Sequence, residues 1–240
     1  MIELAQPPAI IKPAPFIAKA PHVWRPTLND MVVLGILPGM MGAVAGFGNP
    51  IEAQLITWNP SDSGAGITLS NGNLDLVSNG SFYAVRATLS RSTGKFHYEQ
   101  TLVAASTSNL IFGWMDSGAS LSNFVGNSAK GFGVNSTTTM TYNTGYTTSN
   151  AWSLAAPVQG DVVMFEIDYD AGKAWAGKNG TWSASGDPAA GTNPWVTFTA
   201  SAALFPAGSS FDASHKLRAN FGATAFAYTP SAGFSAYNVA

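Results

Sequence analysis

Asp168, Asp170 and Gly172 stand in the order D-x-D-x-G, the opening of a calcium-binding loop. Such a loop closes on a bidentate Glu at its twelfth position, and the residue standing there is Asn179. The three residues therefore read as turn formers, with Asp and Gly supplying the turn geometry. Glu99 and Glu166 could serve as a glycosidase pair if both entered one cleft. Both fall in alternating segments predicted to be strands, where Glu166 should point to solvent or pair with a cation. His22, His97 and His215 are far apart, with no H-x-x-x-H pair, and His97 is expected on the outer face of its strand. There is no G-x-S-x-G elbow. With no cysteine there is no thiolate ligand, Cys nucleophile or disulfide, which fits a protein assembled in a reducing cytosol. No catalytic residue, metal site or cofactor is expected.

What remains is recognition. Trp58, Trp114, Trp175 and Trp182 fall on predicted strands or hairpins and suit a core or its edge, while Trp152 and Trp195 flank loops. Tyr142 and Tyr146 lie in TYNTGYTTSN, where rings beside Asn and Thr suit stacking on sugars or docking to a partner; plain rim packing is the simpler reading. The loops running from Asp116 to Phe124 and from Tyr142 through Tyr146 to Trp152 are the expected ligand contacts. Charged residues make up 10% of the chain, against roughly 25% in soluble proteins generally. The net charge is −2 and the 11 Lys and Arg are scattered, so no basic stripe offers itself to nucleic acid.

From Ile51 onward the elements that position these residues are all β. Short β-branched and aromatic runs alternate with turn signals, ten to twelve strands in all. Asn71-Gly72 between alternating runs predicts a type I′ hairpin, and Asn179-Gly180 a second turn. In GKFHYEQTLV, Phe96, Tyr98 and Thr101 are expected inward and Lys95, His97 and Glu99 outward. In DVVMFEIDYD, Val162, Met164 or Phe165, Ile167 and Tyr169 suit the core. No helix of three turns is predicted. This pattern calls for a two-sheet antiparallel β-sandwich.

Residues 1–49 differ. Prolines 7, 8, 13, 15, 21 and 26 favour extended or polyproline II backbone, yet Ile10, Ile11, Phe16, Ile17, Val23, Trp24 and Leu28 are too apolar to leave in water. Glu3, the prolines and the lack of a continuous apolar core argue against a secretory leader over residues 1–30. Residues 31–48 match a membrane span in length, but Pro38 and five glycines weaken any helix there. The arm could fold back on its own domain, cross a membrane or dock on another subunit. Docking is the reading carried forward, since a pre-stiffened segment loses less entropy on binding. Phe16, Trp24, Arg25, Leu37 and Phe47 are its expected anchors.

Three stretches carry a family likeness. Gly94-Lys95-Phe96-His97-Tyr98-Glu99 resembles the GKxYxE strand of SPRY (B30.2-like) modules. Gly160 to Trp182 resembles their GDVV strand and DxDxGKxWxxxNGxW hairpin. Leu204, Pro206, Ala207, Leu217-Arg218-Ala219-Asn220-Phe221-Gly222, Phe226, Tyr228, Pro230 and Gly233-Phe234 resemble their closing segment, and Arg218 is expected to make a structural hydrogen bond. The likeness spans roughly residues 57–238, and residues 177–194 are similar to the phage and prophage version of the module. It implies a concanavalin-like, all-β sandwich over residues 50–240 that binds rather than catalyses, with residues 1–49 as an anchor arm. The expectation is a phage virion structural protein, made in the host cytoplasm and present in multiple copies. Its arm would dock on capsid, tail or adaptor subunits, and its sandwich would decorate the particle or adhere to a host-surface glycan or protein. The alternative is a cellular SPRY module recognising a peptide or glycan, tethered by the arm to a membrane or a complex.

Overall fold

The computed structural model describes residues 55–104, 110–127, 130–135, 141–142, 148–149 and 152–238, the two short pairs by backbone alone. The anchor residues Phe16, Trp24, Arg25, Leu37 and Phe47, the 49/50 boundary and Tyr146 lie outside the described residues.

Alternation of apolar and polar residues folds the described chain into two sheets. One is six-stranded, in the order β1 (Trp58–Ser63), β4 (Tyr83–Ala87), β14 (Phe205–Ser210), β6 (Leu110–Met115), β7 (Gly131–Asn135) and β8 (Thr141–Tyr142). The other runs β2 (Ile67–Ser70), β3 (Asp75–Ser78), β15 (Lys216–Asn220), β5 (Lys95–Ala104), β10 (Val162–Asp168), β11 (Lys173–Lys178), β13 (Val196–Thr197) and β9 (Thr148–Ser149). β12 (Thr181–Trp182) joins it on β11, and β16 (Ser235–Ala236) lies parallel to β5. The helical structure among the described residues is one 3-10 turn, Ser183–Ser185.

The two inner faces meet in one apolar core. Tyr98 of β5 stacks between Phe165 at 4.9 Å and Phe221 at 5.7 Å. Trp114 of β6 meets Tyr98 and Phe165 edge-on from the opposite sheet, at 5.3 and 5.2 Å. Such edge-to-face and offset pairs add to the burial of the rings themselves. On β10 the inward side chains are Val163, Phe165 and Ile167, followed by Tyr169, all fully buried. Asn179 and Gly180 both take positive φ between the paired Lys178 and Thr181, the geometry of a type I′ turn. The Asn71-Gly72 hairpin also forms, but with a wider turn than expected. Asn71, Gly72 and Asn73 all have positive φ, and four residues separate the paired Ser70 and Asp75.

Neither outer face is left bare. Residues 116–127 lie across the six-stranded sheet, where Ala119 and Val125 pack on Ala84, Ile111, Met115 and Ala207. Residues 222–234 lap over the ten-stranded sheet between β15 and β16.

Candidate functional site

The first covered face gathers the charged side chains that sequence reasoning kept apart. His97 on β5 lies directly across from Glu166 on β10, and Glu99 stands two residues along β5 on the same face. His97 Nδ1 is 3.1 Å from Glu166 Oε1, and Nε2 is 3.7 Å from Glu99 Oε1. Strand parity does put His97 on the outer face, but the residue is fully buried. Glu166 is fully buried as well, so of the two expected surroundings, solvent or a cation partner, it takes the second, with His97 as the partner. The cover is residues 226–231. The backbone N–H groups of Ala227 and Tyr228 donate to the two oxygens of Glu99, at 2.9 and 2.8 Å. The N–H of Ser231 donates to Glu166 Oε1 at 2.7 Å. Phe226 stands edge-on to the imidazole at 4.6 Å. Burial alone pushes the His97 pKa down; the hydrogen bonds and charges of Glu166 and Glu99 outweigh it and hold the imidazole above the ordinary histidine value. The two carboxylates imagined as a glycosidase pair do come together, but they are spent on gripping this segment.

The D-x-D-x-G run and Arg218 also resolve into structural roles, while His22 lies outside the described residues. Asp168 Oδ1 accepts the N–H of Ala171 at 2.9 Å, and Oδ2 pairs with Lys95 at 2.9 Å. Asp170 Oδ2 accepts the N–H of Gly94 at 3.1 Å. The D-x-D-x-G run is thus a turn tied to the start of β5. Among the described residues no three His, Asp or Glu side chains are arranged to hold a metal ion. His215 is fully buried, and burial pushes its pKa down. Arg218 makes the structural bond expected of it. Its Nε and Nη2 donate to the Asp75 carboxylate at 2.7 and 2.9 Å. Burial raises the Asp75 pKa, but the bonds from Arg218 and Asn71 win and hold it below the usual carboxylate range. Four described cations, Arg86, Lys95, Lys178 and Arg218, are each committed to an Asp partner.

The second covered face carries the expected loop 116–124. Arg86, buried on β4, fastens it. Its guanidinium holds Asp62 through two bonds of 2.6 and 2.7 Å. Its Nη1 donates to the carbonyls of Asp116 at 3.0 Å and Ala119 at 2.9 Å. Asp116 itself is half-buried, its carboxylate accepting the N–H of Gly118 at 2.8 Å. Phe124, also half-buried, meets Phe82 at 5.0 Å, and Phe82 meets Phe211 at 4.9 Å. Phe211 is 41% exposed. Three rings from three connecting segments therefore share one patch, with the exposed Ser81 next to Phe82 and the half-buried Asp212 next to Phe211 in the chain.

Of the second expected loop, Tyr142 is placed by its backbone, paired with Gly133. Trp152 is corrected from a ligand contact to a core residue: it is 6% exposed, and its indole N–H reaches the Ala155 carbonyl at 3.5 Å. Apolar packing is stronger for a large indole than a rim position would be. Sequence reasoning missed Phe82, Phe211 and Arg86. The signal for the two phenylalanines was there, a Phe next to small polar residues in SNGSFYA, where Tyr83 follows it, and in SSFDASH. Arg86 in a run of small residues gave no comparable sign.

With that geometry in hand, the fold compares with solved structures. The SPRY domain of human HERC1 superposes with a TM-score of 0.54 at 16% identity, covering 70% of this chain and 99% of that one. The PSpry domain of TRIM65 gives 0.51 at 13% identity, covering 70% and 92%. No family model and no curated protein matches the sequence. The described residues therefore adopt the SPRY fold, a two-sheet antiparallel sandwich.

Proposed function

We propose that this chain is a non-enzymatic recognition and display protein of a phage particle. The Phe82–Phe124–Phe211 patch is its outward contact surface, and residues 1–49 are its attachment. The observation that carries the reading is that patch. Three rings come together partly exposed, Phe124 on the loop that Arg86 fastens and Phe82 and Phe211 on two other connections. An aromatic surface with one half-buried carboxylate, Asp212, beside Phe211 suits a glycan or a weakly charged protein surface. The Pro-stiffened apolar arm, the low charge and the absence of cysteine support display on a particle assembled in a reducing cytosol, in several copies.

The test is adhesion. The double variant Phe124→Ala Phe211→Ala is expected to keep the far-UV spectrum of the parent, because both rings are already partly in water. Its binding to host cells should fall by about tenfold or more, the scale set by removing aromatic anchors from an interface. Binding equal to the parent's would reject the patch as the contact surface.

A further inference from the structure

Residues 222–234, GATAFAYTPSAGF, contain no charged side chain. They have no sheet pairing of their own, and only Phe234 among them is buried. What holds their middle is the grip of Glu99 and Glu166 on three backbone N–H groups. Those carboxylates stand on neighbouring strands beneath a cover that keeps water out. Between them lies one group able to carry positive charge, His97.

The neighbours of His97 make it the sole counter-charge. On β5, Lys95 stands two residues away and is paired with Asp168 of β10. On β11, Trp175 lies opposite Glu166, and Lys173 lies opposite Asp168 with its ammonium donating to the Gly191 carbonyl. On β15, Asn220 lies opposite Glu99, and Arg218 is tied to Asp75. β12 and β16 supply no charge, and the covering segment supplies only the Tyr228 phenol.

We propose that residues 222–234 form a proton-controlled strap, held shut by the imidazolium of His97 between Glu99 and Glu166 and loosened when that proton leaves. With His97 neutral, two buried carboxylates face each other with no cation between them. Lifting the strap returns them to water. The strap ends are built to permit this: Gly222 and Gly233 both take positive φ, and β15 and β16 stay paired to β5 on either side. Opening would uncover the Trp175 face of the ten-stranded sheet, which Phe234 now meets at 6.0 Å.

The sign follows from linkage. The closed state holds the His97 proton more tightly than the open state does. Closure is therefore insensitive to pH below the open-state value, about 6.5. It weakens as pH rises from there to the raised closed-state value, by about tenfold in opening constant per pH unit.

Native-state hydrogen exchange on the full chain tests this, with protection factors corrected for the intrinsic pH dependence of exchange. The amides of Ala227, Tyr228 and Ser231 are expected to hold a constant protection factor below pH 6.5, then to lose about tenfold per unit above it. Amides of β14 should show no such loss. In His97→Gln the strap amides should be weakly protected and flat with pH. In Glu166→Gln, which keeps the histidine, the decline should end at a lower pH than in the parent. Protection independent of pH between 6 and 9 would overturn the proposal. So would an undiminished slope in His97→Gln, or an unmoved window in Glu166→Gln. A loss shared equally by the β14 amides would mean global opening and would also overturn it.

Discussion

Replacing Arg86 with Ala is expected to unfasten residues 116–127 and to destabilise the sandwich by about 3 kcal/mol. The guanidinium is 6% exposed and makes four bonds at once, two to the Asp62 carboxylate and one each to the carbonyls of Asp116 and Ala119. Removing it strands a carboxylate and two carbonyls against an apolar face. Breaking a buried pair from one side costs more than the pair contributes, because the remaining charge loses its partner. Asp62 is 27% exposed, and water reaching it keeps the loss at the low end of the range for buried pairs. Arg86→Lys should recover only part of it, since an ammonium cannot match the two-pronged geometry. The measurement is urea unfolding of Arg86→Ala, Asp62→Ala and the double variant. The double variant is expected to be much less destabilised than the sum of the singles. Because the loop carries Phe124, Arg86→Ala should also lose adhesion. Simple additivity of the two substitutions would refute the fastening role.

The second large effect is expected at Trp114→Ala, about 3 to 5 kcal/mol, the loss typical when a buried aromatic is cut to a methyl. Trp114 is fully buried and touches Tyr98, Phe132 and Phe165 at 5.2 to 5.3 Å, so it bridges the two sheets at their centre. Its neighbours cannot close the space, since Tyr98 is pinned by its hydroxyl donating to the Gly113 carbonyl at 2.7 Å and by its stack on Phe165. A loss below about 1 kcal/mol by urea unfolding would mean that the sheets are not joined there.

The contrast between these sites shows what was legible in the residues alone. Alternation placed Phe96 and Tyr98 inward and Lys95, His97 and Glu99 outward, and the structure agrees on those faces; Thr101, expected inward, gives that place to Gln100, whose amide reaches the Ala207 carbonyl of the opposite sheet. The Asn179-Gly180 turn was legible because it is set by a local conformational demand, whereas the Arg218 bond, which reaches Asp75 on another strand, was expected from the family likeness. The burial of His97 and Glu166 was not. Strand parity tells which face a side chain occupies and nothing about what later lies over that face. The cover comes from residues 226–231, far beyond Glu166 in the chain, and grips through backbone N–H groups that leave no mark in side-chain pattern. The aromatic patch was half legible. Phe124 was singled out with its loop, while Phe82 and Phe211 arrive from two other connections that only folding brings together. Trp152 shows the opposite error, a loop-flanking indole that the core claims.

The most direct measurement is co-sedimentation of the full-length protein with phage particles assembled without it, beside the double variant Phe16→Ala Trp24→Ala. The account predicts that the parent chain pellets with the particles. The variant should stay in the supernatant with its sandwich intact by near-UV circular dichroism. Equal pelleting of both, or of neither, would contradict attachment through the arm and with it the display function proposed for the chain.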